Sequence, residues 1–368
     1  WYDDLQPTPS DGSGSFAFYA GGASGTGTFT LPNTSRALTL TGGLPAGPWS
    51  MVVGDFAYDC FIAPGNCPNG ATDQSVYDVS VVVKTAPSPA IPASGTFDVN
   101  VYFATTMAPD DTGTNQPLSA SVANTGGDAD LKAMESAYRA MLAKAGVTVG
   151  PFTYTILDAA TLATYATGID ADAEGACAPL SQLLKQATNG NTMNVFFVSR
   201  YTSSSSPAGF AIVGLDGTIP GHSTYGGTVA SGVSVSTQDL RSGRAFCGKT
   251  PPDLVHCGAE STAYFIAHET GHFLGLYHTT EFDGTAFDPL SGTDQCPCSS
   301  CATLAKSEVC GTPASSSQTG HAMTNSECIS APKCGGGDNL MFWAFSSEST
   351  AALTGDQGAV MRANPLVH

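Results

Sequence analysis

At 368 residues the chain is long enough for one small and one larger domain, each with its own core. Only 12% of residues are charged, and 31 acidic against 13 basic side chains give a formal net charge of −18. Such a surface repels a nucleic-acid backbone and an anionic membrane alike. No apolar run reaches the roughly 18 residues that a membrane span needs. The protein is therefore expected to act on proteins or peptides as partners, without a membrane span, and as a monomer.

Residues 1–85 carry short β-branched and aromatic runs broken by Gly and Pro: SFAFYA, GTFTL, ALTL, WSMVVGDF and VYDVSVVVK. Alternation around Val79, Ser80 and Val81 fits a sheet with one buried face, so this region is predicted to be an all-β sandwich, an accessory domain or a prosegment. Residues 86–95 form a Pro-rich linker. The first residue is Trp1 and no charged, apolar leader follows it, so a leader has been removed or the sequence starts past it.

Residues 96–368 read as a second domain. FDVNVYFAT is a strand, and DADLKAMESAYRAMLAKAG is a helix with Leu131, Met134, Ala137, Tyr138, Met141 and Leu142 on one face, ended by Gly146. FTYTILD and MNVFFVSR are further strands around a helix near 178–187, and the Gly-rich segment 209–235 holds short ones. A long helix over about 259–274 follows.

That helix contains HETGHFLGLYH, residues 268–278. His268 and His272 stand one turn apart on one face, so two imidazoles can reach one ion. Glu269 is rotated by about 100° and lies beside that ion, where a general base for a bound water belongs. In an unbroken helix His278 would sit roughly 15 Å along the axis from His268, out of reach. Gly275 is the residue able to take a positive φ and turn the chain back. Three neutral imidazoles would then leave one open tetrahedral position, as in a catalytic Zn2+ site.

Eleven cysteines point to an oxidising compartment, hence to a secreted, extracellular protein. Cys60 pairs naturally with Cys67 and Cys247 with Cys257. The pairing among Cys296, Cys298, Cys301, Cys310, Cys328 and Cys334 stays open, and CPCSSC is read as bridged, not as a metal–thiolate cluster. Cys177 is left over, as a buried free thiol or as partner to one of the six. Asp283, Asp288 and Asp294 follow the histidines and are either Ca2+ ligands or solvated turn residues, the spacing fitting no ordered calcium loop. His222 and His256 are read as locally bonded residues outside the site.

The extended motif HExxHxxGxxH resembles the metzincin clan of zinc peptidases. The resemblance implies an α+β catalytic domain: a twisted, mainly parallel sheet with the active-site helix in an upper subdomain to about residue 275, and a Cys-rich lower subdomain over 276–368. It also implies a methionine turn beneath the metal, matched here by Met341 in GGGDNLMFW. Within the clan, HETGHFLGLYHTT with the acidic loop DGTAFDPLSGTDQC is similar to the pappalysins, and ALTGDQGAVMRANPLV resembles their last helix. Family members carry tyrosine two residues after the turn methionine. Trp343 stands there instead, with an indole N–H as the only donor for a carbonyl oxygen or substrate contact. Phe342, Trp343 and Phe345 suggest an apolar wall.

The reading is a secreted zinc-dependent endopeptidase in which Glu269 takes the proton of the zinc-bound water and returns it to the departing amine. The alternative is a zinc-containing extracellular binding or adhesion module without turnover.

Overall fold

The computed structural model describes residue 84 and residues 91–368, apart from 174–176, 205, 207–209, 243–257, 286–287, 299–301, 331–333 and 347–348. The sandwich expected over 1–85, apart from Lys84, the first half of the linker (86–90), and Cys60, Cys67, Cys247, Cys257, Cys301 and His256 lie outside the described residues.

Five strands form the central sheet: β1 (Gly95–Phe103), β4 (Val147–Ile156), β6 (Met193–Val198), β8 (Gly214–Asp216) and β9 (Val233–Ser236). Their order is β4-β1-β6-β9-β8, and every pairing is parallel except β8 with β9. Short pairs β2 (Met107–Pro109) with β3 (Asn115–Pro117) and β5 (Ile169–Asp170) with β7 (Tyr201–Thr202) lie outside it.

A strand places alternate side chains on opposite faces, and a sheet covered on both faces must be apolar on both. MNVFFV of β6 is buried throughout. Val195 and Phe197 join Phe97, Val99, Val101 and Phe103 in the main core, while Phe196 and Val198 join Tyr102 and Ala104 in a second one. Helix α4 (Pro179–Leu184) covers that second face with Leu183 and Leu184.

The main core is closed by α2 (Ala129–Ala143) and α5 (Gly258–Phe273), which follow α1 (Ala120–Asn124) and, in the case of α5, α3 (Ala159–Tyr165) as well. Helix α2 buries Leu131, Met134, Tyr138, Met141 and Leu142, the stripe expected from its 3.6-residue period, with Gly146 at φ 73° past its end. Each such side chain contributes about 1.5–3 kcal/mol by leaving water. Helix α5 is buried nearly all round, because α2 and the sheet cover one side and the C-terminal region covers the other. Its buried polar groups are therefore bonded: Thr270 Oγ1 lies 2.9 Å from the Tyr138 hydroxyl, and Thr262 donates to the Gly258 carbonyl.

The remainder holds β10 (Glu308–Cys310) beside β11 (Thr319–His321), α6 (Asn325–Ser330) and α7 (Gly355–Ala363). Cys296–Cys328 and Cys298–Cys310 are disulfides, and Cys334 is disulfide-bonded too, as expected for a bridged cluster. Cys177 is a free thiol but exposed, contrary to the buried position expected of it.

Asp128 ties the N-terminus of α2 to the segment after β9. It caps the helix by accepting from Leu131 N, and Arg241 donates to both of its oxygens at 2.7 and 2.6 Å and to Asp130 at 2.7 Å. Burial alone would raise the Asp128 carboxyl, but the bonds and charge of Arg241 hold it below the usual range. Its contribution is thus present above the unfolded carboxylate pKa and fades as pH falls through the lower folded value. The side chains of Arg241 and Asp128 are only 11% and 7% exposed, so Asp128→Ala should cost about 3 kcal/mol in urea unfolding at pH 7. Asp130→Ala, at 46% side-chain exposure, should cost under about 1 kcal/mol, and equal effects would refute this account.

Candidate metal centre

Helix α5 ends where the motif requires. Gly275 takes φ 109°, which disfavours any side chain, and the N–H groups of Gly275 and Leu276 return to the carbonyls of His272 and Gly271, both at 2.9 Å. This pair of bonds is a Schellman ending. It reverses the chain and brings His278 back beside the helix.

The three histidines meet. The Nε2 atoms of His268 and His272 each lie 3.1 Å from Nε2 of His278. Every Nδ1 faces away toward an acceptor: His268 to the Leu340 carbonyl at 2.6 Å, His272 to the Leu276 carbonyl at 2.8 Å, and His278 to Glu281 Oε1 at 2.8 Å. Those acceptors call for the proton on Nδ1, leaving three Nε2 lone pairs aimed at a common centre. Burial, with the neighbouring imidazoles adding to it, drives His268 down to about 3 and His272 well below its ordinary value, so both rings are neutral. Neutral imidazoles with ordered Nδ1 partners are what a zinc site asks for, and tetrahedral ligands at the usual Zn–N distance stand about 3.3 Å apart. The donor set fits a single zinc ion.

Glu269 sits one position along from His268 and is 7% exposed. Gly214 of β8 makes room for it, since a Cβ there would lie 2.8 Å from both Cγ and Cδ of Glu269. Burial and the charge of Asp216 raise the Glu269 carboxyl well above its ordinary value, and burial raises Asp216 to about 6. A carboxyl group so placed holds a proton more firmly than one in water, the property a general base needs.

The segment around Met341 packs against the histidine helix. Met341 is fully buried, and a Cβ on Gly271 would collide with its sulfur. Its backbone is held on both sides, by Met341 N donating to Asn339 Oδ1 and Thr279 N donating to the Met341 carbonyl. Asn339 and Gln357 exchange amide bonds at 3.0 and 3.2 Å, and Gln357 also completes the capping box of α7 with Thr354.

Other expected residues fall elsewhere. The Trp343 indole donates to the Met323 carbonyl at 2.7 Å, so its N–H is not free for a carbonyl oxygen in the site, a correction to the expected substrate contact. Phe342 is buried with Cys296, Met323 and Cys328, and Phe345 packs on Tyr264 and Phe265, so neither walls the cleft. Trp343 packs instead against Phe210 at a tilt and against Phe282 edge to face. His222 bonds Thr228 away from the site. Among the described residues the three histidines are the one converging His, Cys, Asp or Glu group, so Asp283, Asp288 and Asp294 do not form a calcium cage. Asp283 bonds Thr285, and Asp288 accepts from Leu290 N. Sequence reasoning missed Glu281, Gly214 and Asp216. Only Glu281 left a signal, its place three residues past His278.

The family model for metallo-peptidase family M12 matches residues 119–343, more than half of the chain. The chain belongs to that family. That family is one of zinc-dependent, metzincin-type peptidases, and the described residues of this chain build a mixed α/β fold on a mainly parallel sheet. The crystal structure of metalloproteinase-II from Bacteroides fragilis is similar at 13% identity and a TM-score of 0.25, the match covering 52% of this chain and 46% of that one. The chain thus spans less than half of that protein's length. No curated protein matches it by sequence.

Glu281 gives the site its next test. Carboxylates that orient a ligand histidine typically tune metal affinity by 10–100-fold. Glu281→Ala should weaken zinc binding by roughly that factor in a competitive chelator titration, with Asp283→Ala unchanged. Equal affinities would remove Glu281 from the site.

Proposed function

We propose that the protein is a secreted zinc-dependent endopeptidase, with His268, His272 and His278 holding the metal and Glu269 serving as the general base. The observation that carries this reading is the convergence of three Nε2 atoms beside a buried glutamate on the next helical position. Zinc at that point would supply a Lewis acid and lower the pKa of a water molecule toward about 7. Glu269 accepts the proton of the attacking water as its oxygen bonds to the scissile carbonyl carbon. It then passes that proton to the amine nitrogen as the C–N bond breaks.

Strand β8 supplies the substrate rail. Among the described residues it ends the sheet, and on its inner side Ser236 N donates to the Val213 carbonyl and Ser234 Oγ to that of Leu215. Alternation therefore turns the backbone groups of Gly214 and Asp216 outward, where an extended peptide can pair with them next to Glu269. An extended backbone bound in mid-chain favours an endopeptidase over an exopeptidase.

Within the metzincins, HETGHFLGLYHTT and the acidic loop after it make a pappalysin-like member our reading. Met341 acts as the packed base under the ligand histidines, supported by its contact with Gly271. Secretion is supported by the disulfides, and no described helix is long and apolar enough to cross a membrane. A binding module without turnover draws support from the engaged Trp343 indole, yet leaves a buried, unpaired Glu269 without a purpose.

Casein hydrolysis separates the two readings. A chelator should abolish cleavage and added zinc restore it. Glu269→Gln should lose at least about a hundredfold in kcat/KM while keeping stoichiometric zinc. Zinc-loaded protein that cleaves neither casein nor gelatin would leave the binding module standing.

A further inference from the structure

The segment that follows α7 is shaped by a proline. A residue ahead of proline is pushed out of the helical region, and Asn364, ahead of Pro365, ends α7 with φ −59° and ψ 138°. The last carbonyls of a helix have no partner within it. Val367 N donates to the Asn364 carbonyl at 3.1 Å, and the turn so closed brings the carbonyls of Arg362, Asn364 and Val367 around one point. Lys84 fills that point. Its Nζ donates to the Arg362 carbonyl at 2.5 Å, to the Asn364 carbonyl at 3.3 Å and to that of Val367. An ammonium has three protons to donate, and here three acceptors meet it at the negative end of a helix.

Arg362 also receives the chain on the far side of the Pro-rich linker. Its carbonyl accepts from Lys84, while its guanidinium donates to the Pro92 carbonyl at 2.8 Å and to the Ala145 carbonyl. Gly146, at φ 73°, leaves room for this crossing, since a Cβ there would lie 2.7 Å from the Ala93 carbonyl oxygen. His368 then exchanges backbone bonds with Thr96 at 2.7 and 3.0 Å, just inside β1. Among the described residues neither Lys84 nor Arg362 forms an ion pair. Burial, with the charge of Arg362 adding to it, lowers the Lys84 pKa, so carbonyl oxygens alone keep this cation in place. A linker pinned to one arginine on both sides is no free hinge.

We propose that residues 362–368 form a docking surface for the N-terminal region, anchored by Lys84, and that residues 1–84 stay bound to the catalytic part when the linker is cut. The surface fits a primary ammonium, whose three protons match three convergent carbonyls as the planar fork of an arginine does not. The N-terminal region is on this account a retained accessory domain and not a removable prosegment.

The test cuts the linker. A recognition site for a sequence-specific protease is inserted between Pro87 and Ser88 of the 1–368 chain, and the cut protein is run on size exclusion under native conditions. With Lys84 intact the two pieces should elute together. Lys84→Met should weaken their association by at least about tenfold, because hydrogen bonds from a charged donor are lost. Wild-type pieces that separate overturn the proposal, and so does unchanged association in Lys84→Met, which puts the hold elsewhere. A second measurement needs no variant and so does not depend on one folding. In the uncut protein an amine-acylating reagent should modify Lys84 at least about tenfold more slowly than the exposed Lys132, read by mass spectrometry. Equal rates would show an ammonium free in solution and overturn the docking as well.

Discussion

Three imidazole lone pairs turned on one point repel one another, and everything else about the centre follows from the need to hold them there. Each ring is anchored from behind through Nδ1, and the three anchors come from different segments: the Leu276 carbonyl in the helix ending, the Glu281 carboxylate in the loop after it, and the Leu340 carbonyl 72 residues beyond His268. The cluster can form only once helix, turn and distant loop are all in place. In the absence of a cation its polar groups are a liability, which is why burial keeps His268 and His272 neutral. Metal binding and local folding are in this sense one equilibrium.

The Leu340 anchor explains why so much structure surrounds a loop with no catalytic group of its own. The same carbonyl accepts from the Tyr264 hydroxyl, so the turn is tied to α5 twice. Asn339 locks it to α7 through Gln357, and Thr279 N joins it to the chain just past His278. Between the motif and the turn, disulfides close loops with separations of 32 and 12 residues. Each removes of the order of 3 kcal/mol of loop entropy from the unfolded chain in the simplest account. A region poor in regular structure thereby gains enough order to position one carbonyl.

What could be read from the sequence divides along this line between local and distant contacts. Helix α5, its ending at Gly275 and the return of His278 were legible because helix geometry and one positive φ set them within eleven residues. Strands β1, β4 and β6 were legible from their apolar runs, and α2 from its stripe. Glu281 lies three residues past His278 and was readable in principle, but an acid in an acidic loop does not stand out. Trp343 misled because its place two residues after Met341 suggested a donor facing the metal, whereas Met323 takes that donor. The three aspartates misled in a similar way, since nearness in sequence did not bring their side chains together. Gly214 and Asp216 left no signal, for they reach Glu269 only through the antiparallel pairing of β8 with β9.

That pairing gives a strand of three residues two different jobs, and the alternation of the backbone keeps them apart. Leu215 directs its carbonyl inward to Ser234 and holds the strand on the sheet, while Gly214 and Asp216 direct theirs to the edge that no described strand occupies. On the helix-facing side Gly214 must be small, because any Cβ would enter the space of the Glu269 side chain. Space given up at Gly214 is what lets the Glu269 side chain sit at the edge of the sheet. Asp216, one repeat further, has no such crowding and keeps a side chain. The vacancy on this face of the strand is thus set by where the Glu269 side chain ends, so the edge strand and the histidine helix are fitted to one another at this point.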